Sequence, residues 1–297
     1  RLMVVIGPCS IHDTEAAMDY ARRLRALASD VEDRLFILMR AYLEKPRTTV
    51  GWRGLINDPY LDGSFDMSAG LKVARRLLID MNALGLPVAT EMLDPISPQY
   101  LDDQISLATI GARTTEAQTH RALASGVSMP VGFKNGTDGG IQVAVNGCLT
   151  AAGSHSFLGI DEHGQSAVVK TTGNPDGFVI LRGGRHGPNY AAEHVAEAAQ
   201  LMREAKLNPA VMVDCSHANA AGDYRQQEHV WHDVIEQAAA APGTIVGLMV
   251  ESNLREGKQT LTDDRSALQY GMSLTDGCIG WEQTERLLRE THARLGG

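Results

Sequence analysis

Long apolar runs, clustered cysteines and a positive net charge are all missing from this sequence of 297 residues. No stretch reaches the roughly 18 consecutive apolar residues that a membrane-spanning helix requires, so we expect none. The short apolar run at the start meets Gly7 and Pro8 at once and does not resemble a signal peptide. The sequence therefore favours a cytoplasmic protein over a secreted or membrane-embedded one.

The four cysteines lie far apart, and no Cys-x-x-Cys pair occurs. This spacing is typical of reduced thiols in the cytosol and argues against a dense disulfide framework. The formal net charge of −9 argues against binding to nucleic acid or to an anionic membrane, because both require a basic surface. We therefore expect neither a nucleic-acid partner nor a membrane partner, but small anionic substrates in a locally basic pocket are compatible with this charge.

What the sequence does contain is an alternation of short apolar runs and amphipathic helical stretches. The predicted strands lie at 3–9, 35–41, 87–93, 107–113, 131–135, 177–183, 210–216 and 244–251. The predicted helices include 68–84, 116–124, 191–205 and 281–295. Apolar strands that alternate with helices are typical of a parallel sheet that is covered by helices.

Eight such units in one chain favour a closed barrel over an open doubly wound sheet. We therefore predict an α/β fold, a (β/α)8 TIM barrel, as a single domain over residues 1–297. One segment, 156–172, breaks the alternation and is typical of a small inserted β-hairpin. The turn of this hairpin is predicted at Asp161, Glu162, His163 and Gly164.

Charged or metal-binding side chains end or follow every predicted strand, at the barrel edge where enzymes of this architecture place their active sites. Six of them are cationic, namely Arg40, Lys45, Arg47, Arg113, Lys134 and Arg182. Any one arginine is more often an ordinary surface residue, but so many like charges in one pocket repel each other unless anions offset them. Because arginine binds phosphate or carboxylate through two parallel hydrogen bonds, the group predicts substrates that carry two phosphates, with or without a carboxylate.

The other side chains at the strand ends form a mixed set of soft and hard metal ligands. They are Cys9, Glu91, His217 and Glu251, together with Asp214. Such a set suits a divalent transition metal such as manganese, iron, cobalt or zinc. Each residue alone has a plainer interpretation, since a strand cysteine usually packs in the core and a lone histidine is often a hydrogen-bonded polar residue. Residue types alone also leave Cys215 and Cys278 open as the thiol ligand.

Six stretches carry a more specific pattern. They are GPCSIH (7–12), RAYLEKPRTTVGW (40–52), IGARTTE (110–116), PVGFKNGTDG (130–139), ILRGG (180–184) and DCSHAN (214–219). Together they resemble the type I 3-deoxy-D-arabino-heptulosonate 7-phosphate (DAHP) synthases, the microbial class that aromatic amino acids regulate. The resemblance implies a metal-dependent, aldol-type condensation of phosphoenolpyruvate with D-erythrose 4-phosphate. Its products would be DAHP and phosphate, in the first step of the shikimate pathway to aromatic amino acids.

The resemblance also implies a role for individual positions. The metal ligands would be Cys9, His217, Glu251 and Asp276. Phosphoenolpyruvate would be bound by Arg40, Lys45, Arg113, Lys134 and Arg182. Erythrose 4-phosphate would be bound by Lys45, Arg47, Thr48 and Asp276. Catalysis would depend on Lys45, Cys9 and His217.

Cofactor, assembly and regulation follow from the same resemblance. It implies one divalent metal ion, with Mn2+ as the first choice and Fe2+, Co2+ or Zn2+ as alternatives. We expect a homo-oligomer, either a dimer or a tetramer, and inhibition by an aromatic amino acid, with tyrosine as the first candidate. The inhibitor would bind near Pro98, Gln99, Ser128, Phe157 and Val169, partly on the hairpin. These five residues are equally compatible with a purely structural role in loops.

Two alternatives differ in substrate or in class. The first is 3-deoxy-D-manno-octulosonate 8-phosphate synthase, which has a similar barrel but an Ala-Asn-Arg-Ser type motif where this chain has KPRTT at 45–49. The second is a non-catalytic regulatory barrel, because one fold hosts many functions. A barrel that had lost its activity would be expected to have lost some candidate ligands, whereas all of them are present here.

Overall fold

Eight parallel strands close into a barrel in the computed structural model, which describes residues 1–161 and 163–296. The strands in chain order are β1 (Leu2–Gly7), β2 (Leu35–Arg40), β3 (Val88–Glu91), β4 (Leu107–Ile110), β5 (Val131–Lys134), β6 (Ser156–Ile160), β7 (Ser166–Lys170), β8 (Gly177–Leu181), β9 (Val211–Asp214) and β10 (Ile245–Glu251). Around the barrel they follow the order β1-β10-β9-β8-β5-β4-β3-β2, while β6 and β7 pair with each other outside it. The prediction of a TIM barrel with an inserted hairpin is confirmed.

Seven α-helices in the described residues surround the barrel. They are α1 (Thr14–Val31), α2 (Met67–Ala83), α3 (Gln118–Ala124), α4 (Gln142–Ala152), α5 (Ala192–Glu204), α6 (Gln227–Ala240) and α7 (Trp281–Arg294). Two short 3-10 helices, Ser97–Tyr100 and Asp102–Gln104, stand between β3 and β4, where the other strand connections carry an α-helix. None of the described helices has the length and apolar character needed to cross a membrane.

Local sequence explains how α1 begins and which face it buries. The side chain of Asp13 accepts hydrogen bonds from Glu15 N and Ala16 N at 2.9 and 3.0 Å. These bonds satisfy backbone donors that the first turn of a helix leaves free. Buried residues then recur at helical spacing, as at Tyr20 and Leu24, so that one face packs on the barrel.

The apolar core consists of two layers, one between the strands and the helices and one inside the barrel. The larger layer joins strand and helix residues, among them Val4. The smaller layer contains strand residues such as Val5, Leu38 and Met249 together with Tyr42 and no helix residue, so it fills the barrel itself. The alternation of Val4 and Val5 is the period of two that a strand imposes on its side chains. Tyr42, which follows β2, brings this interior layer to the carboxyl edge of the barrel.

The predicted strand boundaries agree with the observed ones to within about two residues, with one exception. The sequence predicts a fourth strand that reaches residue 113, but β4 ends at Ile110. Thr114 N and Thr115 N donate to Gly111 O at 3.0 and 2.9 Å, so the chain has already turned there. Arg113 therefore lies on a turn beyond the strand, with more freedom of direction than a strand residue has.

The inserted hairpin lies within the predicted segment, and Phe157 pairs directly opposite Val169. At its turn, Gly164 N donates to Asp161 O at 2.9 Å. Glu162, which the sequence also assigns to this turn, lies outside the described residues. The extent of a single domain over residues 1–297 stays a prediction.

Candidate active site

A pocket of about 280 Å³ opens at the carboxyl ends of the barrel strands. Five of the six predicted cations line it, namely Lys45, Arg47, Arg113, Lys134 and Arg182. His217 and Asp276, two of the predicted metal ligands, line the same pocket, and so do Thr48 and Glu91. The structure therefore brings the cationic group and part of the ligand group into one cavity.

Arg40, the sixth predicted cation, lies beneath the pocket rather than on its wall. Its side chain is completely buried, and the guanidinium carbon is 3.6 Å from the centre of the Tyr42 ring. Nη2 donates to Glu251 Oε1 at 2.8 Å and to Cys9 O at 3.2 Å, while Nε donates to Pro8 O at 3.1 Å. Arg40 thus holds together the two chain segments that carry Cys9 and Glu251.

Three of the four predicted metal ligands converge on one point. Ligand atoms of Cys9, Glu251 and Asp276 all lie within 4.8 Å of one another. The Lys45 ammonium lies 2.9 Å from Cys9 Sγ, 3.3 Å from Asp276 Oδ2 and 3.7 Å from Glu251 Oε1. One soft sulfur and two hard carboxylates at one point form a donor set that suits a divalent transition metal.

Burial and charge set the protonation of this ligand cluster. Burial, reinforced by the negative charge of Glu251, raises the pKa of the Cys9 thiol to about 12. Burial also acts to raise the pKa of Asp276, but attraction to Lys45 and His217 outweighs it and lowers the pKa to about 2. Near neutral pH the thiol is therefore protonated and Asp276 is ionised. A bound metal cation would favour the thiolate, because a coordinating thiol is deprotonated.

His217, the fourth predicted ligand, lies at the edge of the cluster. Its Nε2 is 3.8 Å from Glu251 Oε1, while its Nδ1 is 3.0 Å from Asp214 Oδ2. The residue follows β9 in a left-handed backbone conformation with φ of 57°, a region that histidine occupies more often than most residues do. A carboxylate on one ring nitrogen, with the other nitrogen beside the ligand cluster, is typical of metal-binding histidines.

Asp214 connects this histidine to the cationic wall of the pocket. Lys134 Nζ donates to Asp214 Oδ2 at 2.8 Å, and both side chains are buried. Burial opposes both charges, but the attraction between the two residues raises the pKa of Lys134 and lowers that of Asp214 well below its usual range. Lys134 therefore presents a full positive charge to the pocket at neutral pH.

Two arginines complete the wall. Arg113 donates from Nη1 to Pro46 O at 3.2 Å and from Nη2 to Thr48 Oγ1 at 3.3 Å, and so steadies the segment that carries Arg47. Burial, together with repulsion from Arg113, lowers the pKa of Arg182. A bound anion would relieve this repulsion and favour the charged guanidinium. The wall therefore has the electrostatic character of an anion-binding surface.

Comparison with known sequences shows to which family this chain belongs. Residues 1–289 match the sequence model of the DAHP synthetase I family. The chain belongs to that family. It is 57% identical over 297 residues to the Tyr-sensitive phospho-2-dehydro-3-deoxyheptonate aldolase of Escherichia coli (strain K12), a match that covers 100% of this chain and 83% of that protein.

Two further members show how closely this DAHP synthetase I chain follows its relatives. The Phe-sensitive phospho-2-dehydro-3-deoxyheptonate aldolase of the same Escherichia coli strain is 55% identical over 290 residues, which cover 98% of this chain and 82% of that protein. The solved structure of a phospho-2-dehydro-3-deoxyheptonate aldolase from Francisella tularensis SCHU S4 has a TM-score of 0.97 at 46% identity. That match covers 100% of this chain and 86% of the other.

The site of this family member also includes residues that the sequence did not single out. Thr275 Oγ1 donates to Cys9 Sγ at 2.9 Å. The side-chain amide of Gln227 binds both backbone groups of Glu251. Its Oε1 accepts from Glu251 N at 2.8 Å, and its Nε2 donates to Glu251 O at 3.1 Å. The only sequence signal for Thr275 is its position next to Asp276, and Gln227 has none, because it meets Glu251 only in the folded chain.

Two of the five predicted inhibitor-site residues, Phe157 and Val169, pair on the hairpin, and two others, Pro98 and Gln99, lie on the 3-10 helix Ser97–Tyr100. Gln99 Oε1 accepts a hydrogen bond from Ile160 N at 2.9 Å, which ties the 3-10 helix to β6. The fifth, Ser128, is exposed in the segment between α3 and β5. Ser125 in the same segment shares a 2.6 Å hydrogen bond with Thr171 at the end of the hairpin.

Proposed function

We propose that this chain is a DAHP synthase, which joins phosphoenolpyruvate to D-erythrose 4-phosphate and releases phosphate in the first step of the shikimate pathway. The observation that carries the proposal is one pocket in which five cations border a cluster of a thiol and two carboxylates. Such a pocket suits two phosphorylated substrates and a metal ion. The names of the relatives, phospho-2-dehydro-3-deoxyheptonate aldolases, support the same activity.

The proposed metal ligands are Cys9, His217, Glu251 and Asp276. A divalent ion held there would supply Lewis-acid polarisation of an aldehyde oxygen, and we propose Mn2+ ahead of Fe2+, Co2+ or Zn2+. Asp214 would orient His217 through its contact with Nδ1. Arg40 would hold the Glu251 carboxylate in place from below.

Phosphoenolpyruvate is proposed to bind to Arg113, Lys134 and Arg182, with Lys45 between it and the second substrate. Two guanidinium groups match the phosphate and the carboxylate through paired hydrogen bonds, and Lys134 adds a point charge. Arg40 would act from beneath, since main-chain oxygens and a carboxylate already occupy its donors. Direct contact between Arg40 and phosphoenolpyruvate stays a prediction.

The proposed reaction begins when the enolpyruvate carbon adds to the aldehyde of erythrose 4-phosphate, which Lys45, Arg47, Thr48 and Asp276 hold. The Lys45 ammonium delivers a proton to the aldehyde oxygen as it becomes an alkoxide. Water then adds at the carbon that bears phosphate, and phosphate leaves by cleavage of the C–O bond. The cationic wall keeps both substrates in register and stabilises the charge that develops on the departing phosphate.

We further propose feedback inhibition by an aromatic amino acid, with tyrosine first, at the residues that meet beside the hairpin. The relatives in Escherichia coli and Schizosaccharomyces pombe that are named Tyr-sensitive and tyrosine-inhibited are 57% and 49% identical to this chain. A Phe-sensitive relative is 55% identical, so identity alone favours tyrosine only slightly. In keeping with the family resemblance, we also propose a homodimer or homotetramer.

The direct test is turnover of phosphoenolpyruvate with erythrose 4-phosphate after chelation and metal add-back. Chelated protein is expected to be inactive, and Mn2+ is expected to restore release of phosphate, because the ligand cluster would then hold its cation. Each metal is then assayed with tyrosine, phenylalanine or tryptophan, and tyrosine is expected to inhibit most.

Three outcomes of this assay separate the alternatives. Full turnover after exhaustive chelation contradicts the metal proposal. Faster turnover with arabinose 5-phosphate than with erythrose 4-phosphate favours the octulosonate synthase. No turnover with any of the four metals favours the non-catalytic barrel.

Arg113→Ala is expected to raise the KM for phosphoenolpyruvate by about tenfold to a hundredfold, the equivalent of one or two charged hydrogen bonds. The KM for erythrose 4-phosphate should rise less, through loss of the contact between Arg113 and Thr48. The control is Arg76→Ala, which removes an exposed arginine paired with Asp80 on α2. Steady-state kinetics with each substrate varied in turn make the measurement, and an unchanged KM for phosphoenolpyruvate would remove Arg113 from the binding wall.

A further inference from the structure

Three buried asparagines form a hydrogen-bonded chain directly behind the cationic wall, through their side chains and the backbone N of the central one. Asn135 follows β5, Asn189 lies between β8 and α5, and Asn219 follows β9. These residues are 0%, 5% and 3% exposed, so water cannot replace the partners of their amides. We call these three residues the amide chain.

Asn135 ties the end of β5 to the end of β8. Its Oδ1 accepts a hydrogen bond from Arg182 N at 2.8 Å. Its Nδ2 donates to Gly183 O at 2.9 Å and to Gly136 O at 2.8 Å. Because Lys134 directly precedes Asn135, one amide connects the backbone of two of the proposed phosphoenolpyruvate ligands, Lys134 and Arg182.

Asn189 is the central link of the amide chain. Its Oδ1 accepts from Gly183 N at 2.6 Å, and its Nδ2 donates to Asn135 Oδ1 at 3.2 Å. Its backbone N donates to Asn219 Oδ1 at 2.8 Å. Asn219 Nδ2 in turn donates to Asp214 O at 2.9 Å. The chain therefore extends from the end of β5 to the residue whose carboxylate pairs with Lys134.

We propose that the amide chain positions Lys134 and Arg182 for phosphoenolpyruvate and that Asn189 is its central positioning residue. The inference rests on the proposed function, because it takes phosphoenolpyruvate as the anion in the pocket. A side-chain amide donates and accepts at once, so three of them can join main-chain groups of loops that share no strand register. Buried, fully satisfied networks of this kind hold a binding site rigidly.

The conformation of Gly183 explains why Asn189 is needed. Gly183 has φ of 73°, a left-handed turn that takes the chain out of the barrel ladder just after Arg182. A Cβ at this position would lie 2.8 Å from atoms of Ala218, so the turn is tightly packed. Without Asn189 Oδ1, the Gly183 N–H would be buried with no acceptor. A shift of the peptide that joins Arg182 to Gly183 would relieve that cost, and it would move the guanidinium.

Asn174 offers a matched control at the opposite end of the barrel. It is 4% exposed, its Nδ2 donates to Met129 O at 2.9 Å and Val127 O at 3.2 Å, and its Oδ1 accepts from Asp176 N at 3.0 Å. It precedes β8, whereas Arg182 follows that strand. Its loss therefore removes a comparable set of buried hydrogen bonds and leaves the cationic wall intact.

The test compares N189A and N174A as Mn2+-loaded enzymes. Calorimetric titration is expected to show a Kd for phosphoenolpyruvate raised by about tenfold to a hundredfold in N189A, because small misplacements of binding groups carry penalties of this size. The KM for phosphoenolpyruvate should rise with it. The KM for erythrose 4-phosphate should change little, since Lys45, Arg47 and Thr48 lie on the segment after β2. N174A should lower Tm by a similar amount and keep the wild-type Kd.

Each outcome supports or overturns a separate claim. Equal Kd values for phosphoenolpyruvate in N189A and N174A overturn the positioning role but leave the proposed function intact. A wild-type enzyme that neither binds phosphoenolpyruvate nor turns it over overturns the proposed function itself. If N189A does not fold, N189L takes its place, because leucine fills a similar volume but offers no acceptor to Gly183 N and no donor to Asn135 Oδ1. A wild-type Kd in N189L then also overturns the inference.

Discussion

Cys9→Ala is expected to abolish metal-dependent turnover and to remove the bound metal. Cys9 Sγ is the soft member of the ligand cluster. Its loss leaves the carboxylates of Glu251 and Asp276 with no sulfur ligand beside them. Loss of a residue that hydrogen-bonds to a metal ligand already lowers metal affinity or activity by about tenfold to a hundredfold. Loss of the ligand itself should therefore lower them by at least about a hundredfold. Metal content after dialysis and kcat with Mn2+, Fe2+, Co2+ and Zn2+ make the measurement.

The matched control for this variant is Cys148→Ala. Cys148 is also fully buried, but it lies on α4 and packs in the layer between strands and helices. Its replacement should lower stability through a small cavity and leave metal content and kcat near wild type. Wild-type turnover by the Cys9 variant with any of the four metals would refute the assignment of Cys9 as a ligand.

Lys45→Ala is expected to lower kcat by about 10² to 10⁴-fold, the range for loss of a general acid. The ammonium of Lys45 contacts Cys9, Asp276 and Glu251 and also lines the pocket, so it stands between the ligand cluster and the substrates. Lys45→Arg should restore little of the activity, because a planar guanidinium cannot occupy the place of a compact ammonium. Rapid-quench or steady-state assays with both substrates saturating report the change.

Two comparisons separate a chemical role for Lys45 from loss of structure or metal. Metal content should stay close to wild type in the alanine variant, since all four proposed ligands remain. Lys72→Ala serves as the control, because Lys72 is exposed on α2 and should leave kcat unchanged. A Lys45→Ala enzyme with nearly full kcat would show that another group protonates the aldehyde oxygen.

The shared pocket could be predicted from the sequence because parallel barrel strands all end at the same edge. Lys134 ends its strand, whereas Arg182 lies one residue past its own, and both reach the pocket. The buried position of Arg40 follows from the period of two that a strand imposes on its side chains. Arg40 lies between Leu38 and Tyr42 at alternate positions, and both of those fill the barrel interior. Its side chain is therefore directed inward, under the pocket.

The thiol ligand is a case that residue types could not resolve. Cys9, Cys215 and Cys278 are all completely buried. Cys9 and Cys215 lie one or two residues past a barrel strand, and Cys278 lies in the segment between β10 and α7. Only Cys9 joins the three-residue ligand group in the described chain. The reason is the closure of the barrel, which sets β1 beside β10 and so brings Cys9 near Glu251. Asp276, 267 residues from Cys9 along the chain, then comes within 3.5 Å of its sulfur.

The sequence by itself determined the architecture of this protein and the chemical character of its pocket. Apolar runs of strand length, helices of the right period and charged residues at the strand ends are local patterns, so they survive without knowledge of distant contacts. Only the tertiary structure decided that Cys9 meets Glu251 and Asp276 and that Asn189 reaches Asn135 across 54 positions of sequence. Such contacts depend on how eight strands close in register and how each loop turns, and no local period encodes that geometry.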